Sequence, residues 1–297
     1  MLEVNLSGLK LKSPIILASG ILGVSYSSMK RVYDAGAGAV TSKSIGPKPR
    51  KGYKGPSIVE VYPGTFINSV GLANPGINNF MSEISECKEN GLVIIVSVFG
   101  DTNESYREVA LKAQEAGADA IEVNISCPHA EVSSWGSDKC LTQTLIEYLR
   151  KVISIPIFVK LNPNVTDLTE IALAAEKAGA DAVVAINTIR AMYIDVNTKK
   201  PKLHHGSGGL SGKSIHPIAV KHVYDLYKVL KIPIIGCGGI FEWEDVIEFF
   251  LAGASAVQIG TGMYKGFDII SKLNTDLISY LKKNNYRNIS DLTGLVP

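Results

Sequence analysis

Four stretches decide the fold: DAGAGAV at 34–40, EAGADAIEV at 115–123, KAGADAVVAI at 177–186 and LAGASAVQIG at 251–260. In each, a helical pattern stops at a glycine and an apolar run begins within three residues. Gly36, Gly117, Gly179 and Gly253 suit the left-handed position that closes a helix. The run that follows is rich in Val, Ile and Ala, as a strand buried on both faces should be. Junctions of one kind, repeated along the chain, imply a repeated βα unit.

Working outward, candidate strands fall at Ile15–Ser19, Ala39–Lys43, Val93–Phe99, Ala120–Ser126, Ile157–Leu161, Ala182–Asn187, Pro233–Gly236 and Ala256–Gly260. Amphipathic helices separate several of them. In Asp167–Lys177, Leu168, Ile171, Ala172 and Ala175 share one face, and Asp167 with Glu170 resembles a capping box. In Trp243–Leu251 the inner face is Trp243, Val246, Ile247 and Phe250. This alternation predicts a TIM (β/α)8 barrel with right-handed crossovers. An open doubly wound sheet ranks lower, because no GxGxxG follows the first strand. The opening VNLSGLKLKSP alternates around Ser7-Gly8 and predicts an N-terminal β-hairpin plugging the barrel bottom. Residues 45–79 and 188–214 are too long for simple connections. They leave strand C-terminal ends and predict inserted loops or strands over that face.

Composition agrees with one barrel domain over residues 1–297. The chain is 46% hydrophobic and 20% charged, unlike a disordered segment. Its 30 basic and 28 acidic residues leave no excess that would suggest nucleic acid. No stretch approaches the roughly 18 apolar residues of a membrane span, and the N-terminus lacks signal-peptide architecture. Cys87, Cys127, Cys140 and Cys237 form no CxxC pair, which argues against a disulfide framework or a cysteine-rich metal site. The expected compartment is the cytoplasm.

Polar residues gather at the strand ends. They are Ala18-Ser19-Gly20, Ser42-Lys43-Ser44, Asn124 through His129, Lys160-Leu161-Asn162, Asn187-Thr188, Gly238-Gly239 and Gly260-Thr261. One buried Lys or Asn is ordinarily a structural satisfier; two lysines and three asparagines converging on one mouth point to a site. Gly238, Gly239, Gly260 and Thr261 leave backbone N–H groups accessible to a phosphate. Lys160 and Lys43 fit a flavin, whose reduced ring a lysine can stabilise, and equally a Schiff-base lyase. A lone cysteine is most often an inert buried hydrophobe, a reading that suits Cys87 and Cys140. Cys127, at the catalytic face before a proline and the polar stretch HAEVSSWGSD, is the functional candidate. His204-His205 reads as a solvated loop rather than a metal pair, and His216 and His222 as surface or core residues.

The chain is similar to class 1 dihydroorotate dehydrogenases over nearly its whole length. The stretches that carry the resemblance are FINSVGLANPG at 66–76, NISCP at 124–128, VKLNPNVTD at 159–167 and AINT at 185–188, then GGLSGKSIHPIAVK at 208–221, IPIIGCGGI at 232–240 and AGASAVQIGT at 252–261. The resemblance implies oxidation of dihydroorotate to orotate in pyrimidine biosynthesis, with FMN at the barrel mouth. It implies that Cys127 takes the C5 proton and that the C6 hydride passes to flavin N5. Lys43, Asn68, Gly71, Leu72, Asn124, Asn187 and Thr188 would hold the substrate. Ala18, Ser19, Gly20, Lys43, Ser44, Asn124, Lys160 and Ile186 would contact the flavin or its ribityl chain, and Gly212, Gly238, Gly239, Gly260 and Thr261 the phosphate end. No metal is implied.

Orotate is a planar anion with amide edges, so asparagines can donate and accept around it while Lys43 supplies charge. Two departures stand out. His129 replaces the usual Asn after Cys-Pro, as in dihydropyrimidine dehydrogenases, which makes dihydrouracil an alternative substrate. Ser97 replaces an Asn often found near the flavin. GGLSG and IPIIGCGGI are more like the subclass (type 1B) paired with a subunit carrying FAD and a [2Fe–2S] cluster, which implies a homodimer or a heterotetramer with that partner. Neither nucleic acid nor membrane is an expected partner.

Overall fold

The structure is a computed structural model, and it describes residues 1–125 and 135–297. The chain opens with β1 (Val4–Leu6) and β2 (Leu9–Leu11), then β3 (Ile15–Leu17), α1 (Tyr26–Asp34) and β4 (Ala39–Thr41). An excursion holds β5 (Ile58–Tyr62) and β6 (Thr65–Asn68) before α2 (Ile77–Glu89). Next come β7 (Ile94–Val98), α3 (Asn103–Glu115), β8 (Ala120–Asn124), α4 (Lys139–Arg150), β9 (Ile157–Lys160), α5 (Leu168–Lys177) and β10 (Ala182–Ala185). A second excursion holds β11 (Ile189–Met192), β12 (Ile194–Asp195), β13 (Lys200–Pro201) and β14 (Ser207–Gly212). The chain ends with α6 (His216–Tyr227), β15 (Ile234–Cys237), α7 (Trp243–Ala252), β16 (Ala256–Ile259) and α8 (Asp268–Lys283).

The order β3-β4-β7-β8-β9-β10-β15-β16 closes on itself, and every neighbouring pair is parallel. This is the TIM barrel expected from the sequence; every barrel strand lies inside its predicted span except β15, which runs one residue past Gly236 to Cys237. The glycine junctions explain its regularity. Gly36, Gly117, Gly179 and Gly253 have φ of 108°, 101°, 96° and 115°. The N–H one residue later reaches back to the carbonyl five residues before it, a Schellman closure: Ala37 to Val32, Ala118 to Ala113, Ala180 to Ala175, Ala254 to Phe249. One residue further on, the chain joins the preceding strand, with Gly38 N–H on Ile15, Asp119 on Ile94, Asp181 on Ile157 and Ser255 on Ile234. Helix end and strand register are thus set by the same few residues.

The β1–β2 hairpin lies at the N-terminal ends of the barrel strands. Leu6 and Leu11 are buried, and Ser7 Oγ donates to the carbonyl of Asp181, just ahead of β10, at 2.6 Å. At the opposite end the two excursions pair as one antiparallel sheet, β11-β14-β6-β5. Its centre is glycine-rich because the chains pass close: a Cβ on Gly208 would sit 2.3 Å from Asn68 O, and one on Gly209 2.1 Å from Thr188 Oγ1.

One local expectation is corrected. Asp167 caps α5, but through Thr169 N at 2.8 Å and the Thr169 hydroxyl; Glu170 turns outward to Lys139 at 3.1 Å, so no reciprocal capping box forms. In α7 the predicted face is buried at Val246, Ile247 and Phe250, with Trp243 half-buried against Tyr280. Among the described residues no helix is long and apolar enough to cross a membrane.

Candidate active site

The C-terminal strand ends and the added sheet enclose a cavity of about 680 Å³, within the range of small-molecule sites. Lysines and asparagines reach it from separate strands: Lys43 after β4, Asn124 from β8, Lys160 from β9, and Ile186, Asn187 and Thr188 after β10. Ala18, Ser19 and Gly20 follow β3, and Ser44 follows Lys43. The added sheet supplies Asn68 and Gly212, the segment after β6 supplies Gly71 and Leu72, and Gly238, Gly239, Gly260 and Thr261 come from the turns after β15 and β16. Every sequence-predicted site residue among those described lines this one cavity. Cys127 lies outside the described residues, as do Ser126 and His129, so the structure gives no position for them.

The polar side chains are held by specific bonds. Asn124 Nδ2 donates to Ser44 Oγ at 2.9 Å, and Ser44 Oγ also meets Ser19 Oγ at 3.3 Å and Ser97 Oγ at 3.0 Å. Ser97 is therefore fully buried behind Ser44 and does not line the cavity. Tyr106 OH fixes the Asn124 carbonyl at 2.8 Å. Asn68 Nδ2 donates to Gly209 O at 3.2 Å, which ties the two excursions together at the mouth. Asn164 holds the turn after β10, donating to Thr188 O at 3.1 Å and accepting from Arg190 N at 2.8 Å. Lys43 is half-buried without a carboxylate partner among the described residues, and burial holds its ammonium below the usual lysine range.

Lys160 is buried inside the barrel. Its Nζ donates to Gln258 Oε1 at 2.8 Å, and Gln258 Nε2 donates to Glu122 Oε2 at 2.6 Å. Glu122 and Gln258 were not read from the sequence, because both sit within runs that look apolar. Tyr53, Asn164 and Arg190 also line the cavity and were likewise missed.

At the glycine-rich end, His216 is buried rather than superficial. Its Nδ1 bonds to the Gly238 carbonyl at 2.9 Å and its Nε2 to Glu248 at 2.8 Å. In a trans peptide the N–H points away from the carbonyl. Fixing Gly238 O on His216 therefore turns the Gly239 N–H to the opposite side. Thr261 opens a 3-10 turn, and its hydroxyl donates to Ser211 Oγ at 2.8 Å. These glycines, lysines and amide groups suit a phosphate-bearing flavin beside a planar anion.

The remaining candidates are resolved individually. His205 stacks on Tyr53 with ring centroids 4.0 Å apart, and no cluster of His, Cys, Asp or Glu among the described residues could hold a metal. Cys87 is buried and its thiol is pushed up to about 12 by desolvation, helped by Glu83 and Glu86. Cys140 is exposed, contrary to the buried reading, because it occupies the outward-facing start of α4.

The model of the dihydroorotate dehydrogenase family matches residues 1–281. The chain is 47% identical to a protein of Methanosarcina mazei named dihydroorotate dehydrogenase B (NAD(+)), catalytic subunit, covering 99% of this chain and 95% of that one. Proteins of the same name from Methanocaldococcus jannaschii and Pyrococcus horikoshii are 47% and 45% identical, each covering 99% of this chain and 98% and 97% of theirs. The fold is shared with a crystal structure of DHODH from Eimeria tenella in complex with ferulenol, at a TM-score of 0.87 and 24% identity over 99% of this chain and 88% of that one.

Proposed function

The chain belongs to the dihydroorotate dehydrogenase family, and from that premise we propose that its barrel mouth oxidises dihydroorotate to orotate, a step of pyrimidine biosynthesis. The observation that carries this reading is the convergence of Lys43, Lys160, Asn68, Asn124 and Asn187 on one cavity. FMN bound there supplies the acceptor for the hydride that leaves substrate C6. Lys160, with Ala18, Ser19, Gly20, Ser44 and Ile186, holds the ring system, and Gly212, Gly238, Gly239, Gly260 and Thr261 hold the phosphate end.

Lys43, Asn68, Gly71, Leu72, Asn124, Asn187 and Thr188 bind the substrate. Lys43 supplies positive charge to its carboxylate, while amide groups donate to and accept from its ring edges. Cys127, two residues past Ile125 in the chain, takes the C5 proton on its sulfur. A free thiol titrates near 8.5, so a modest thiolate population suffices for base chemistry. The added sheet roofs the mouth and limits water around the reacting carbons.

The relatives' names specify NAD(+) and a catalytic subunit. In the same reading this chain hands its electrons to a partner subunit carrying FAD and a [2Fe–2S] cluster. Its described cysteines fit that division: Cys87 is buried, Cys140 is exposed and Cys237 lines the cavity, so they offer no cluster ligands in common.

Cys127→Ala tests the base assignment. The variant should retain FMN while its reduction by dihydroorotate slows by about 10²-fold or more. Reduction at the wild-type rate would contradict it. His129 favours one second reading, a dihydrouracil substrate, which competition between the two dihydropyrimidines separates.

A further inference from the structure

The four glycine junctions place Thr41, Glu122, Val184 and Gln258 at one repeat position, five residues after Gly36, Gly117, Gly179 and Gly253. They lie on alternate barrel strands and so form one interior layer. Bulky branched side chains ordinarily fill such a layer, but here only Val184 does. The β16 and β8 strands stand on opposite sides of the closed barrel. The Gln258–Glu122 bond therefore crosses the lumen, and Gln258 Nε2 also reaches Thr41 Oγ1 at 3.4 Å.

The orientation of Gln258 is determined by its neighbours. Lys160 has only donors, so it takes the amide oxygen and leaves the amide nitrogen to Glu122. Glu122 accepts on Oε2, while Oε1 is buried and has no hydrogen-bond partner among the described residues, although Glu122 lines the cavity. Lys160 and Glu122 are thus opposite charges linked by one amide beneath the mouth, where low dielectric strengthens their effect on any charge formed above them.

We infer that Glu122 is a positioning residue for the cofactor site: through Gln258 it orients Lys160 and offsets its charge, so that bound FMN keeps a lower reduction potential than Lys160 alone would set. This rests on the reading that Lys160 faces the flavin. Two-electron reduction adds negative charge to the flavin; Lys160 favours that charge and Glu122 opposes it.

The experiment measures the potential of bound FMN by dye equilibration in wild type, Glu122→Gln, Glu122→Leu and Lys160→Met, with FMN content read from absorbance. Glu122→Gln should retain FMN and raise the reduced-to-oxidised ratio about tenfold at a fixed ambient potential, a shift of about 30 mV for two electrons. Glu122→Leu, which removes the carboxylate and adds a second branched apolar side chain beside Val184 in the layer, should shift the potential in the same direction and serves if the Gln variant folds poorly. Lys160→Met should lower the potential. A lowered potential in Lys160→Met with none raised in the Glu122 variants would overturn the role of Glu122 and leave the flavin reading standing. No shift in any variant would overturn both.

Discussion

In the proposed site Lys43 would carry the charge that recognises an anionic substrate, and its burial makes that charge pH-sensitive. Desolvation lowers its pKa, so the charged form gives way at a lower pH than in an ordinary lysine. Orotate affinity should stay level while Lys43 is protonated, then weaken as pH rises through this lowered value. Titrating orotate against the flavin spectrum from pH 7 to 10 checks this. Lys43→Gln should bind about 10- to 100-fold more weakly at neutral pH, the worth of a charged hydrogen bond, and lose the alkaline fall. An unchanged profile in the variant would remove Lys43 from the substrate site. The sign for stability is opposite. Burying a charged lysine costs stability at neutral pH, and the cost lessens as pH rises through the lowered pKa. The sequence reveals Lys43 and Lys160 because they end apolar strands. Glu122 and Gln258 escape a reading by strand ends, since a polar residue inside an apolar run looks like noise until the repeat positions are aligned.

The helix-closing glycines are the elements' most specific feature, and they are not equivalent. A Cβ on Gly253 would lie 2.2 Å from Tyr227 Cγ, whereas one on Gly117 would meet only the flexible Lys88 side chain at 3.2 Å. Both have positive φ, which costs an alanine about 1–2 kcal/mol. Gly117→Ala should lose about that much in urea unfolding. Gly253→Ala should lose about 3 kcal/mol or more, because overpacking against Tyr227 adds to the strain. Equal losses would refute the packing argument. The barrel strands and junctions were legible because each repeats a local pattern. The sheet over the mouth was legible only as two excursions. Its pairing of β6 with β14 joins segments distant in sequence, and glycines in β14 weaken any strand pattern.

At the scale of the whole molecule, the barrel puts separate strand ends around one cavity, and that geometry is what makes the chain a catalyst rather than a scaffold. The hairpin seals the opposite end, so chemistry is confined to the face where lysines, asparagines and glycine turns meet. The central claim is that this cavity binds FMN and passes electrons to it from dihydroorotate. The most direct measurement is a visible spectrum of the purified chain, followed by anaerobic addition of dihydroorotate. Flavin bands that bleach on addition are the predicted result. A chain that stays colourless after reconstitution with FMN, or flavin bands that dihydroorotate leaves unchanged, would contradict it.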